Sequence, residues 1–175
     1  LYDLVLPKGS KQEKAFIRLV VTFVTLVKSS CKSVKEVLKQ AKNADDERSV
    51  FIIKNIFQPV YERYINALSD SNQIDFTDAI LQATEICRTS HPVEYDYIIV
   101  DEFQDISVDR YNFLKVLREG NPPAKLYCVG DDWQSIYRFS GSDMALFNQF
   151  SEYFGATEIN KIETTYRFGE PLVSL

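Results

Sequence analysis

The chain has 175 residues, of which 45% are hydrophobic and 26% charged, values that exclude a disordered, collagenous or disulfide-scaffolded protein. Its formal charge of −5 is uneven: residues 1–50 hold ten Lys/Arg against six Asp/Glu, and the remainder ten against nineteen. A uniformly basic nucleic-acid binder is thereby excluded, while a basic lobe beside an acidic one is compatible with these numbers. Arg18, Thr22, Thr25 and Lys28 interrupt the most apolar stretch, so no run reaches the roughly 20 residues of a bilayer span and no membrane association is expected. Cys31, Cys87 and Cys128 lie far apart and His91 is the single histidine, which argues against zinc and for a reduced, cytoplasmic setting.

The first half reads as helical. Phe16, Leu19, Val20, Phe23, Val24 and Val27 recur at the spacing of one buried helix face. Ser33-Val34-Lys35-Glu36 fits a capping box opening a second helix, with Val34, Val37, Leu38 and Ala41 inward and Lys35, Lys39 and Lys42 on a solvated face that could meet phosphates. A longer helix is predicted over 47–68, to be kinked or split at Pro59. After a loop at Asp70-Ser71-Asn72, Asp75 is a plausible cap for a helix over 76–88 with Phe76, Ile80, Ala83 and Cys87 inward.

The pattern changes after His91-Pro92. Residues 95–100 form a short apolar run, as expected for a strand buried on both faces. A helix over 107–119 follows, with Tyr111, Leu114 and Leu117 on one side, and Gly120-Asn121-Pro122-Pro123 stops it. Residues 125–129 are the next predicted strand. Asp143 caps a helix with Met144, Phe147, Phe150 and Phe154 inward, closed by Gly155, and residues 157–162 read as a third strand. Strand, helix, strand, helix, strand is the signature of an α/β fold, in which ligands bind beyond the carboxyl ends of parallel strands.

Each predicted strand runs into polar groups. The first leads to Asp101 and Glu102; adjacent carboxylates at a buried strand end are costly unless a hard cation such as Mg²⁺ relieves them. Glu102 is then free to orient or deprotonate a water. The second leads to Asp131, Asp132, Trp133 and Gln134, then Tyr137-Arg138-Phe139. Gln134 can donate and accept, as sensing a phosphate and a water together requires, and aromatics flanking an arginine suit stacking on exposed bases. The third leads to Tyr166 and Arg167, where a guanidinium could stabilise charge developing on a transferred phosphoryl group.

Val100-Asp101-Glu102-Phe103-Gln104-Asp105, then Val129-Gly130-Asp131-Asp132-Trp133-Gln134-Ser135-Ile136-Tyr137, then Thr165-Tyr166-Arg167 resemble, in order and spacing, three successive motifs of the UvrD/Rep/PcrA helicases of superfamily 1. Ile74-Asp75-Phe76-Thr77-Asp78 resembles a further segment of helicase IV-like members. The resemblance implies that residues 74–175 are the C-terminal part of a RecA-like motor domain 1A, with a partial parallel sheet and flanking helices, and that residues 1–73 are an all-helical 1B-like subdomain. It implies ATP and Mg²⁺ as cofactors, with Asp101 and Glu102 at the metal and Glu102 activating the attacking water. Gln134 and Arg167 would then meet the γ-phosphate, and Tyr166 would stack on adenine. Tyr137, Arg138 and Phe139 would contact single-stranded DNA, the partners being single strands, single-to-double-strand junctions and a second motor domain of the same polypeptide.

The chain departs from that pattern in three places. No Gly-x-x-x-x-Gly-Lys-Ser/Thr loop occurs in it; the resemblance puts that loop before residue 1, so an excised fragment, inactive alone, is expected. Ser140 and Phe139 stand where many members have arginine and tryptophan, and Trp133 occupies a position that is often small or acidic. Two other readings of the residues compete: a metal-dependent phosphoesterase or nuclease built on Asp101, Glu102, Asp131 and Asp132, and a non-catalytic interaction module.

Overall fold

The computed structural model describes residues 7–90, 94–135, 141–162 and 164. The helices are α1 (Lys11–Ser29), α2 (Val34–Asn43), α3 (Glu47–Ile52), α4 (Gln58–Asp70), α5 (Phe76–Ser90), α6 (Val108–Gly120), α7 (Met144–Asn148) and α8 (Phe150–Phe154). They accompany a two-stranded parallel sheet of β1 (Tyr97–Val100) and β2 (Lys125–Cys128), paired Tyr97 to Lys125 through Val100 to Cys128.

The helical lobe follows its local signals. Ser10 caps α1 by accepting from the Glu13 backbone N–H. At α2 both bonds of the capping box form: Ser33 Oγ accepts from Glu36 N, and Ser33 N donates to Glu36 Oε2 at 2.7 Å. Pro59 divides the predicted long helix. A single π-turn, Ile53–Phe57, intervenes between α3 and α4, and the proline falls in the first turn of α4. Proline has no N–H for the carbonyl one turn back, and the wider turn absorbs that break. Val27, Val34, Ile53 and Phe57 form the core of this lobe, with Phe23 stacked on Phe57 at 4.2 Å. Two residues expected inside are outside. Leu19, at the margin of the α1 stripe, is exposed, and so is Phe76, which as the first residue of α5 stands clear of a packed face marked by buried Thr84.

The second core lies beneath the sheet. Ile98, Phe103, Ile106, Leu114, Ala124, Leu146 and Phe154 are buried together, and Val100, Leu126, Cys128, Phe147 and Phe150 pack on them. Sequence periodicity had not singled out Leu146. The expected strand buried on both faces is corrected: Ile98 points into the core, while Tyr97, Ile99 and Tyr127 are exposed on the other face. The described residues place a layer on one side of the sheet alone, so the side chains alternate as the pleat dictates. The predicted last helix is broken at Gln149 into α7 and α8.

The third strand is also corrected. Residues 157–162 are irregular and exposed, Ile159 and Ile162 included. A strand is completed by its ladder, and no neighbouring strand offers one to this segment among the described residues.

The lobes meet at the end of α1. Lys28, buried despite its charge, reaches Asp75 Oδ2 and Asp78 Oδ1, each at 2.6 Å. Tyr64 of α4 donates its hydroxyl to the same Asp75 oxygen at 2.8 Å, and its ring lies 5.7 Å from Lys28 Nζ. Asp75 and Asp78 cap α5 reciprocally, each accepting the other's backbone N–H. On the α/β side, Asn112 of α6 donates to Cys31 Sγ, and Gly141 packs so closely on Ser29 that a Cβ there would collide with its hydroxyl.

Candidate functional site

Parallel pairing puts the carboxyl ends of β1 and β2 at one edge, and the backbone holds them together beyond the last paired residues. Val129 N donates to Val100 O and Phe103 N donates to Val129 O, both at 2.9 Å. The segment after β1 is anchored by Phe103, buried among the rings of Phe147, Phe150 and Phe154. Asp101, Glu102 and Gln104 therefore flank a core side chain, which fixes their loop to the domain interior.

Both acids of the pair face solvent, so the expectation of a desolvated carboxylate pair is corrected: the open sheet edge leaves them hydrated. Asp101 Oδ1 accepts the Glu102 backbone N–H at 2.8 Å. Glu102 has φ 52° and ψ 40°, the left-handed region. Among the described residues, Cys31, Asp45 and Asn72 share that conformation. Each of those three closes a helix with the six-to-one bond of a Schellman motif: Lys32 N to Val27 O, Asp46 N to Ala41 O, and Gln73 N to Leu68 O. Glu102 closes no helix. That conformation is unfavourable for a residue other than glycine, and here it lies at the end of a strand.

Across the edge, Asp131 organises a single 3₁₀ turn. Its Oδ1 accepts from Trp133 N at 3.1 Å and its Oδ2 accepts from Gln134 Nε2 at 2.7 Å. Between the two segments lies Gln104, 1% exposed. Its Nε2 donates to Glu102 Oε2 at 2.6 Å, and its Oε1 accepts the Asp131 backbone N–H at 3.0 Å. Trp133 is almost fully exposed, so it does not pack the core.

The structure therefore brings Asp101, Glu102 and Gln134 to one edge. Tyr137, Arg138, Phe139, Tyr166 and Arg167 lie outside the described residues. Gln104 and Phe103 are the residues that sequence reasoning passed over. Their position directly after the acidic pair was the available signal, and both side chains are buried there.

The donor set fits a hard cation. Asp101 Oδ2 accepts no hydrogen bond among the described residues, and Mg²⁺ takes one or two carboxylates with waters and phosphate oxygens completing its shell. The four carboxylates Asp101, Glu102, Asp131 and Asp132 do not gather into a metal cluster: no three His, Cys, Asp or Glu side chains converge among the described residues. That removes the geometry on which the nuclease reading rested. No helix of the described residues is long and apolar enough to cross a membrane.

The chain is similar to several known proteins. DNA helicase IV of Escherichia coli (strain K12) is 43% identical over 114 residues, 65% of this chain and 17% of the relative. A probable DNA helicase II homolog of Rickettsia conorii is 33% identical over 132 residues, 70% of this chain and 19% of the relative. ATP-dependent DNA helicase Rep of Buchnera aphidicola is 33% identical over 117 residues, 63% and 18% respectively. The chain thus spans less than a fifth of the length of these relatives. A family model described as UvrD/REP helicase N-terminal domain matches residues 5–155, across both lobes and the whole of the paired strand edge. The chain belongs to the UvrD/REP helicase family, within its N-terminal domain.

Proposed function

We propose that this chain is part of an ATP-dependent DNA helicase or translocase, with residues 74–175 forming part of a RecA-like motor domain and residues 1–73 a 1B-like helical subdomain. The observation that carries the reading is the junction of the two strand ends, where Glu102 and Gln134 are linked through Gln104 and Asp131. Glu102 offers one carboxylate oxygen to Gln104 and leaves Oε1 toward solvent, the position of a base that orients and deprotonates a water. In this reading that water attacks the γ-phosphate of ATP in line, and Gln134 contacts the same phosphate. Asp101 is the residue that would hold Mg²⁺, whose chemistry here is neutralisation of charge on the phosphate oxygens. Arg167 and Tyr166 are assigned to the γ-phosphate and the adenine, and Tyr137, Arg138 and Phe139 to single-stranded DNA at junctions, with a second motor domain completing the nucleotide cleft.

Glu102→Gln in the complete polypeptide tests this. Phosphate release should fall by about a hundredfold or more, the scale of a lost general base. Binding of a fluorescent ATP analogue should stay within about twofold, because the amide keeps the shape and loses the proton acceptor. Unchanged turnover would sink the reading.

A further inference from the structure

We infer that Gln104 is a positioning residue that locks the Glu102 carboxylate to the backbone of Asp131, so that the base and the Gln134 segment keep one fixed relation. The inference rests on the assignment of Glu102 as base made above.

The orientation of the Gln104 amide is set by chemistry. The Asp131 backbone N–H can only donate, so it must face Oε1, which leaves Nε2 for the carboxylate. Every polar contact of this buried side chain therefore runs between the two strand exits. Space is set as tightly. A Cβ on Gly130 would lie 2.6 Å from Gln104 Oε1, 3.0 Å from Gln104 N and 2.8 Å from Phe147 Cε2. The exit of β2 thus presses on the amide with nothing between them.

On the other side, Glu102 follows Asp101 in a left-handed turn with its side chain at the solvent edge. The Gln104 donor is the one hydrogen bond its carboxylate receives among the described residues. Asp131 in turn accepts from the Gln134 side chain. Movement of Gln134 is thereby passed through Asp131 and Gln104 to the base. A side chain that merely filled this space would need no amide, since burying one costs free energy unless both ends are bonded.

The test compares Gln104→Glu, Gln104→Leu and Glu102→Gln in the complete polypeptide. Q104E keeps the volume and the acceptor for Asp131 N–H but replaces the donor with a second carboxylate. Two carboxylates at that distance repel, so the Glu102 side chain loses its anchored position. At neutral pH kcat should fall by about tenfold to a hundredfold, as for other supporting partners, with binding of the fluorescent ATP analogue unchanged within about twofold. Q104L should lose kcat similarly, again with binding of the analogue unchanged within about twofold. If E102Q abolishes turnover while Q104E and Q104L keep the wild-type kcat, the role of Gln104 is refuted and the base assignment stands. If E102Q itself keeps its turnover, the base assignment fails instead.

Discussion

Gly130 is the residue on which the site edge closes. Only hydrogen fits where its Cβ would meet the Gln104 amide and the Phe147 ring. Gly130→Ala should destabilise the chain by about 1–3 kcal/mol, the cost of overpacking a filled site, read as a lower urea midpoint at unchanged slope. A midpoint equal to wild type would mean that the contact relaxes freely. Asp101, Glu102 and Gln134 stood out in the sequence as candidates because acidic and amide groups soon after apolar runs are unusual. Gln104 was not. Its partner Asp131 lies 27 residues further along the chain, and only strand pairing brings it near.

Capping and helix breaking proved the most legible features at the scale of elements. The Ser33 capping box, the Asp75 and Asp143 caps and the division at Pro59 are all local chemistry, and all occur in the structure. Strands were less so, because β-prone composition says what a segment tolerates and pairing decides what it becomes. Thr157, Ile159 and Ile162 have the composition of a strand, yet they lie in exposed, irregular chain. Amide hydrogen exchange separates the two cases. The amides of Phe103, Lys125 and Val129, which donate across the sheet edge, should be protected, while those of residues 157–162 should exchange near the rate of an unstructured chain. Strong protection over 157–162 would restore the third strand.

The lobes are tied, on the scale of the whole molecule, by a charge network rather than by apolar packing alone. Lys28, Asp75, Asp78 and Tyr64 come from three helices and share one site. Burial alone would lower the Lys28 pKa, but its hydrogen bonds to Asp75 and Asp78 outweigh that and hold it above its ordinary value. Burial likewise works to raise Asp75, yet Lys28, the Asp78 N–H and the Tyr64 hydroxyl keep its carboxyl below the usual range. Tyr64 is pushed up to about 12, by burial first and then by Asp75. The signs follow. A lowered carboxylate contributes stability that is present above roughly pH 3.9 and lost as pH falls through its folded value. The raised lysine and tyrosine contribute stability that is present below roughly pH 10 and lost as pH rises through theirs. Urea midpoints should therefore be flat between these limits and fall on both sides, and Asp75→Asn should remove part of the acid step. Lys28→Met leaves two carboxylates facing each other and should cost roughly 3 kcal/mol at neutral pH. A loss below about 0.5 kcal/mol, the scale of an exposed pair, would show that the network is solvent-screened.

By itself the sequence determined the helical first half, the caps and breaks, the first two strands and the identity of the acidic and amide groups after them. Those properties depend on spacing and on neighbours within a turn or two. Tertiary structure alone decided which face of the sheet is covered, that residues 157–162 pair with nothing among the described residues, and that Lys28 is buried. It also decided that Gln104 joins the two strand exits. These outcomes depend on which distant segments meet, and a buried amide or ammonium is tolerated only where another part of the chain supplies its partner.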